Sequence, residues 1–188
     1  MARLMRITGS EAGFTIIEMT VVAALTLTLL AIGVGALRSF WLERSLTGAQ
    51  DQVVTQMREV QERSVAESYP TVYGIRFLKG TSSFGVVRYN SANQTCQSVN
   101  NQTFGDGVKV VNDVDTDFPD VTTLTAACRT ATPLPAGATT ANYEVVFFYP
   151  KGSTNATSTI GSVKLDQPAM GRTKEVTVSP LTGRVVRS

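Results

Sequence analysis

The residues best placed to do chemistry stand near the start of the chain, where Gly13 and Phe14 precede a single carboxylate, Glu18. From Met19 to Leu37 the sequence has no charged residue and no proline, so a helix there can cross a bilayer. An unpaired carboxylate in such a segment costs on the order of a few kcal/mol, which predicts a functional role for Glu18. Cleavage after Gly13 would free the amino group of Phe14 as a neutralising positive charge.

The segment Gly13-Phe14-Thr15-Ile16-Ile17-Glu18 resembles the processing site of type IV prepilins and of the pseudopilins of type II secretion. The resemblance implies that a prepilin peptidase cuts after Gly13 and methylates the new N-terminal Phe14. It also implies that Glu18 pairs with the N-terminal amine of a neighbouring subunit during assembly. The implied product is a minor pilin or pseudopilin, a structural subunit and not an enzyme.

The same resemblance implies where the chain resides and what it contacts. The leader is expected in the cytoplasm, consistent with Arg3 and Arg6, and the C-terminal domain outside the cytoplasmic membrane. After processing, the subunit is expected to leave the membrane for a pilus or pseudopilus filament. The implied partners are the prepilin peptidase, other pilin or pseudopilin subunits and the inner-membrane assembly platform.

An ordinary secretory signal or signal anchor is the alternative interpretation of the N-terminus, because Arg3 and Arg6 precede an apolar run. Small residues near Ala36 also resemble a signal-peptidase site. Two features count against it. Glu18 stands where an ordinary signal avoids charge, and a cut near Ala36 would divide one continuous helical pattern.

Composition narrows the function classes further. The chain has 188 residues, a net charge of +2 and no histidine, the commonest general base and transition-metal ligand. No serine, cysteine or acid stands in an arrangement typical of catalysis, and no cofactor is predicted. The acidic cluster of Asp113, Asp115, Asp117 and Asp120 could surround calcium, but it lacks the glycine and closing glutamate of a calcium loop. A turn-forming loop is predicted there, and no metal site.

Apolar residues at steps of three and four extend the first helix beyond the membrane segment. They are Leu42, Leu46, Ala49, Val53, Met57 and Val60, and Pro70 ends the pattern. Glu59 and Arg63, four residues apart, are predicted to pair. The sequence thus predicts one helix from near Phe14 to near Glu67, apolar on all sides at first and amphipathic afterwards.

After Pro70 the alternating run 71–77 and the run 84–89 predict a hairpin, and residues 143–149 predict a further strand. Residues 90–102 are polar, with loops predicted at 93–95 and 101–103, and residues 113–135 are predicted to form a loop. The predicted fold is therefore α+β and pilin-like, with the long helix packed on a C-terminal antiparallel β-sheet domain. The predicted divisions are a leader at 1–13, a transmembrane and assembly half-helix at 14–37, an amphipathic half-helix at 38–69 and a β-rich domain at 70–188. Cys96 and Cys128 lie in the exported part and suit one disulfide; two free thiols are the alternative.

A second resemblance covers the C-terminal part, where segments 146–153 and 176–185 are similar to the H-type minor pseudopilins and the FimT-like minor pilins. Some FimT-like pilins bind DNA through a Gly-Arg-x-Arg tail, whereas Gly183 begins a version here with one more residue between the arginines. The alternative function is therefore a DNA receptor for DNA uptake. Its candidate residues are Arg184, Arg187, Lys174 and Arg172. A solvated surface, or one facing an acidic neighbouring subunit, explains the same charges.

Overall fold

The computed structural model describes residues 15–67, 69–111, 118, 122–129, 131, 143–156 and 161–187. It divides into two compact units, residues 1–40 and residues 41–188. The elements are α1 (Ile16–Glu67), β1 (Thr71–Leu78), β2 (Ser83–Asn90), β3 (Thr95–Thr103), β4 (Lys109–Val110), α2 (Thr122–Arg129), β5 (Tyr143–Phe148), β6 (Gly161–Gln167), β7 (Arg172–Val178) and β8 (Val185–Arg187).

Helix α1 confirms the long helix predicted from the sequence. It runs without a break from Ile16 to Glu67, and the predicted ion pair between Glu59 and Arg63 forms at 2.6 Å. Five residues of the predicted apolar stripe are buried, namely Leu46, Ala49, Val53, Met57 and Val60. The amphipathic half of α1 is stable as a helix because its apolar face is buried against the β-rich domain.

The strands form two four-stranded antiparallel sheets, as the predicted antiparallel domain requires. The first has the order β3-β2-β1-β5, and the second has the order β4-β6-β7-β8. Strands β1 and β2 make the hairpin expected from their alternating pattern, with Thr71 opposite Asn90. The second sheet ends in the β7–β8 hairpin, in which Gly183 has a positive φ of 62° that favours glycine.

The main core lies between the buried face of α1 and both sheets. Side chains from the first sheet, including Ile75 and Phe148, meet Leu165 and Val176 of the second sheet around the helix residue Met57. Each of these five side chains is completely buried. The helix thus holds the two sheets together as one α+β domain.

A second apolar cluster lies on the other face of the first sheet, under α2. Val87, Val145 and Phe147 pack there with Cys128 of α2, while Cys96 of β3 borders the cluster. Strand β1 is consequently buried along its whole length. A strand in a sheet that is covered on both faces has a nearly continuous apolar sequence, as Tyr143–Phe148 does.

Two loop predictions were wrong over part of their length, and most of residues 113–135 lies outside the described residues. Residues 95–103 form strand β3 and residues 122–129 form helix α2. Strand β3 is at the edge of its sheet and most of its side chains are polar and exposed, so it lacks the apolar alternation that indicates a strand. Helix α2 has only eight residues and begins with two threonines, which are weak helix formers.

Replacement of Val53 tests how much the packing of α1 on the sheets contributes to the stability of the domain. Its side chain is completely buried in the main core. We expect Val53→Ala to lower the free energy of unfolding by about 2 kcal/mol, because two buried methyl groups are lost and a cavity remains. Thermal unfolding of the solubilised chain measures the effect. The matched control Thr55→Ala, on the exposed side of the same turn, should change stability much less; equal effects would contradict this packing.

Candidate functional site

The described structure begins one residue after the predicted cleavage site. Gly13 and Phe14 lie outside the described residues, and so do Asp113, Asp115, Asp117 and Asp120. Within the described residues, no group of three histidine, cysteine or acidic side chains is placed to hold a metal ion. The described part of the candidate site therefore begins at Thr15.

Glu18 occupies the first turn of α1, and Thr15 caps that turn. The hydroxyl oxygen of Thr15 accepts a hydrogen bond from the backbone N–H of Glu18 at 3.3 Å. A threonine followed three residues later by a glutamate is the capping-box pattern, and a carboxylate is favoured at a helix N-terminus. Glu18 therefore belongs to a capped helix N-terminus, and its side chain is exposed.

The apolar run after Glu18 is suited to a lipid environment. Its threonine hydroxyls donate to carbonyls of the same helix, from Thr20 to Ile17 at 2.8 Å and from Thr28 to Leu25 at 2.8 Å. Hydrogen bonds of this kind leave fewer polar groups unsatisfied in hydrocarbon. Helix α1 is the one described helix that is long and apolar enough to cross a membrane, and its most apolar window has no residue buried within the protein. Glu18 is the one ionisable residue from Thr15 to Leu37.

The basic residues of β7 contact a carboxylate of α1. A guanidinium N–H of Arg172 donates to Glu43 at 2.8 Å, and the ammonium of Lys174 lies 3.4 Å from the other carboxylate oxygen. Lys174 also donates to the hydroxyl of Thr47 at 2.7 Å. The hydrogen bond from Arg172 is the main cause that holds the pKa of Glu43 below its ordinary value. Both cations are therefore engaged with the helix.

Arg187 of β8 makes a similar contact with a carboxylate further along α1. Its guanidinium donates to the carboxylate of Asp51 at 2.6 Å. Three of the four candidate DNA-binding residues, Arg172, Lys174 and Arg187, thus have their charges offset by acidic residues of α1. The fourth, Arg184, is exposed just before β8. The structure thus places Arg172, Lys174 and Arg187 against α1, each beside an acidic residue.

Neutral hydrogen bonds continue this contact along α1. The amide of Gln50 donates to the carbonyl of Glu175 at 2.7 Å, and the amide of Gln61 donates to the carbonyl of Thr182 at 2.9 Å. Arg58 reaches the carbonyl of Val185 at 3.4 Å. Together these bonds and the ion pairs form a polar seam between α1 and the β7–β8 hairpin. The seam positions the C-terminal strands against the helix, so their charges have a structural role.

The Glu43 pair gives a testable dependence on pH. Since its pKa is lowered, the carboxylate stays ionised as the pH falls below the ordinary glutamate pKa, and the pair is lost only as the pH falls through the lowered value. We expect Arg172→Gln to return the pKa of Glu43 towards its ordinary value. Carbon-detected NMR titration measures it, with Arg184→Gln as the control. An unchanged pKa in Arg172→Gln would contradict the pairing.

The predicted disulfide is confirmed. The sulfurs of Cys96 and Cys128 are 1.97 Å apart, and the bond closes a separation of 32 residues between β3 and α2. It fixes the α2 segment on the edge of the first sheet, beside the second apolar cluster.

Sequence reasoning missed Arg76, which is 1% exposed within β1. Its guanidinium donates to the carbonyls of Cys128 at 3.1 Å and Ala131 at 2.8 Å, and its central carbon lies 4.8 Å from the centre of the Tyr143 ring. A cation is favoured at the C-terminal end of a helix, where carbonyls lack partners. Burial lowers the pKa of Arg76. The charged residue in an apolar strand was the available signal, but α2 itself was not predicted.

No protein-family model, no curated protein and no solved structure matches this chain.

Proposed function

We propose that the chain is a minor pilin or pseudopilin, assembled into a filament through the N-terminal half of α1. The observation that carries the proposal is the position of Glu18. It is the fifth residue counted from Phe14 of the Gly13-Phe14 cleavage signature, and the one ionisable group before Arg38 in a helix able to span a membrane. The capped first turn and the internally bonded threonines support the same role.

In the proposed mechanism, the chain is inserted with residues 1–13 in the cytoplasm. A prepilin peptidase removes this leader and methylates Phe14, which leaves a cationic amine at the new N-terminus. An assembly platform then moves the subunit from the bilayer into a growing filament. The carboxylate of Glu18 pairs with the amine of an adjacent subunit and sets the register, because a charge that leaves water is tolerated only beside a partner.

The domain after Trp41 has a display role in this proposal. Its sheets pack on the amphipathic half of α1 through the main core and the polar seam. The disulfide suits an exported location, since disulfides persist in oxidising compartments. We therefore propose that the domain lies outside the cytoplasmic membrane, on the filament surface or at its tip.

A DNA-receptor function is not adopted. Its candidate residues Arg172, Lys174 and Arg187 contact Glu43 and Asp51, and each such pair reduces the positive field that would attract phosphates.

Photo-crosslinking in the native host tests the assembly proposal. A photoreactive phenylalanine analogue is placed at Leu30, an exposed apolar position of the N-terminal half-helix. We expect a covalent adduct with another pilin-type subunit, because this half-helix packs among its neighbours in a filament. The matched control adds Gly13→Val, which blocks leader removal and should abolish that adduct. Identical adducts with and without Gly13→Val would contradict the proposal.

A further inference from the structure

Two adjacent aromatic residues stand exposed where the apolar half of α1 ends. Phe40 is 57% exposed and Trp41 is 59% exposed, directly after Arg38 and Ser39. Of the other aromatic side chains among the described residues, Tyr69 is also exposed, but most are buried. Four phenylalanines of the sheets are no more than 1% exposed, namely Phe77, Phe84, Phe147 and Phe148. Neither core cluster includes Phe40 or Trp41.

Side chains of these types suit the boundary between lipid and water. Tryptophan combines a large apolar ring with one N–H donor, and it is enriched at the level of phospholipid headgroups. Arginine keeps its charged head in water while its stem lies along apolar surface, and its planar guanidinium donates well to phosphate oxygens. Arg38, Phe40 and Trp41 are named the interfacial girdle below.

The spacing between the girdle and Glu18 equals the thickness of a membrane core. Glu18 and Arg38 are 20 residues apart in one unbroken helix, which spans about 30 Å at the rise of an α-helix. The hydrocarbon core of a typical bilayer is about 30 Å thick. No ionisable residue lies between them. When Glu18 lies at one boundary of the hydrocarbon core, Arg38 therefore lies at the other.

We infer that the interfacial girdle binds the phospholipid headgroups of the outer leaflet and that Glu18 consequently lies at the opposite, leader-side boundary before assembly. The inference rests on the membrane-anchored subunit of the proposed function and deepens it. Arg38 donates to lipid phosphates, while the rings of Phe40 and Trp41 lie among the glycerol esters. Glu18 stays hydrated in this position, and it leaves water only when the subunit leaves the bilayer.

Tryptophan fluorescence measures the depth of Trp41 in the membrane, because Trp41 is the one tryptophan in the chain. The full chain is placed in vesicles of phosphatidylethanolamine and phosphatidylglycerol that contain lipids brominated at different depths of the acyl chain. We expect quenching of Trp41 to be at least about twofold stronger with bromines near the glycerol than with bromines at the chain ends. Strongest quenching at the chain ends, or no lipid quenching at all, would overturn the inference.

Two sets of variants make this measurement specific. A control with Trp41→Phe and Tyr69→Trp places the reporter beyond the end of α1, at a residue that is 80% exposed, and should show no lipid quenching. Arg38→Leu lengthens the apolar run and should shift the quenching of Trp41 towards the chain ends, whereas Arg38→Lys should retain the original profile. Equal profiles in the leucine and lysine variants would contradict an anchoring role for the cation.

The position of Glu18 is measured separately. Cys96 and Cys128 are joined, so Glu18→Cys supplies a single free thiol in the otherwise intact chain. We expect this thiol to react with a water-soluble maleimide presented on the leader side, while Leu27→Cys, in the middle of the run, stays unreactive. Equal reactivity at the two positions would overturn the assigned depth.

Both measurements use the unprocessed chain in vesicles. They therefore test the position of the interfacial girdle independently of the pilin proposal. Correct depths without any cleavage in the host would leave the girdle in place and remove the pilin proposal. Cleavage and filament assembly with Trp41 away from the interface would leave the pilin proposal and remove the girdle.

Discussion

Replacement of Glu18 by alanine or by glutamine is expected to leave leader removal intact and to reduce filament incorporation by more than about a hundredfold. The reason is the charge left behind: the N-terminal amine of the neighbouring subunit would be buried without its partner. Breaking such a pair costs about 3–5 kcal/mol, and each 1.4 kcal/mol is a factor of ten. Quantitative mass spectrometry of the filament and membrane fractions measures the loss.

The two substitutions separate assembly from helix capping. Glutamine can take the place of glutamate in a capping box with Thr15, whereas alanine cannot. If capping were the main role of Glu18, Glu18→Gln would assemble normally and only Glu18→Ala would fail. The assembly role requires both variants to fail, with leader removal as the internal control. Normal incorporation of Glu18→Gln would therefore refute the proposed pairing.

Loss of the disulfide is expected to destabilise the domain by about 3–4 kcal/mol, from the entropy of the unfolded chain that a loop of this size restricts. The bond joins residues 32 positions apart and holds α2 over the second apolar cluster. The double variant Cys96→Ala with Cys128→Ala should therefore unfold at a clearly lower temperature, since 1 kcal/mol corresponds to roughly 2–8 °C in domains of 60–250 residues.

Reduced wild-type protein is the matched control for that variant. Reduction breaks the cross-link but keeps both sulfur atoms in place, so it separates the effect of the bond from that of the lost side chains. We expect reduced wild type and the double variant to unfold at similar temperatures, both well below oxidised wild type. Equal stability of oxidised and reduced protein would show that α2 is held by packing alone.

Much of the fold could be predicted because its signals are local. The apolar stripe of α1, the alternating run of β1 and the nearly continuous apolar run of β5 each indicate their own element. Strand β3 could not be predicted because a polar edge strand is defined by the neighbour with which it pairs. Helix α2 is short, and it gains its stability from the disulfide and from Arg76, contacts that no local pattern encodes.

The candidate site divides in the same way. Gly13, Phe14 and Glu18 lie within one segment of six residues, so the sequence alone suffices to propose their roles. The basic residues near the C-terminus were visible as charges, but their partners were not. Arg172 is 129 residues from Glu43, and Arg187 is 136 residues from Asp51. Only the fold brings these charges together, and it places Arg172, Lys174 and Arg187 in the polar seam beside α1.

Mass spectrometry of the N-terminal peptide from host membranes tests the central claim most directly. We expect a peptide that begins at methylated Phe14 and disappears when the host's prepilin peptidase is deleted. Persistence of the intact leader in the wild-type host, or a cut near Ala36, would contradict it. Glu18 would then have no N-terminal amine as a partner, and the chain would be an ordinary signal-anchored envelope protein.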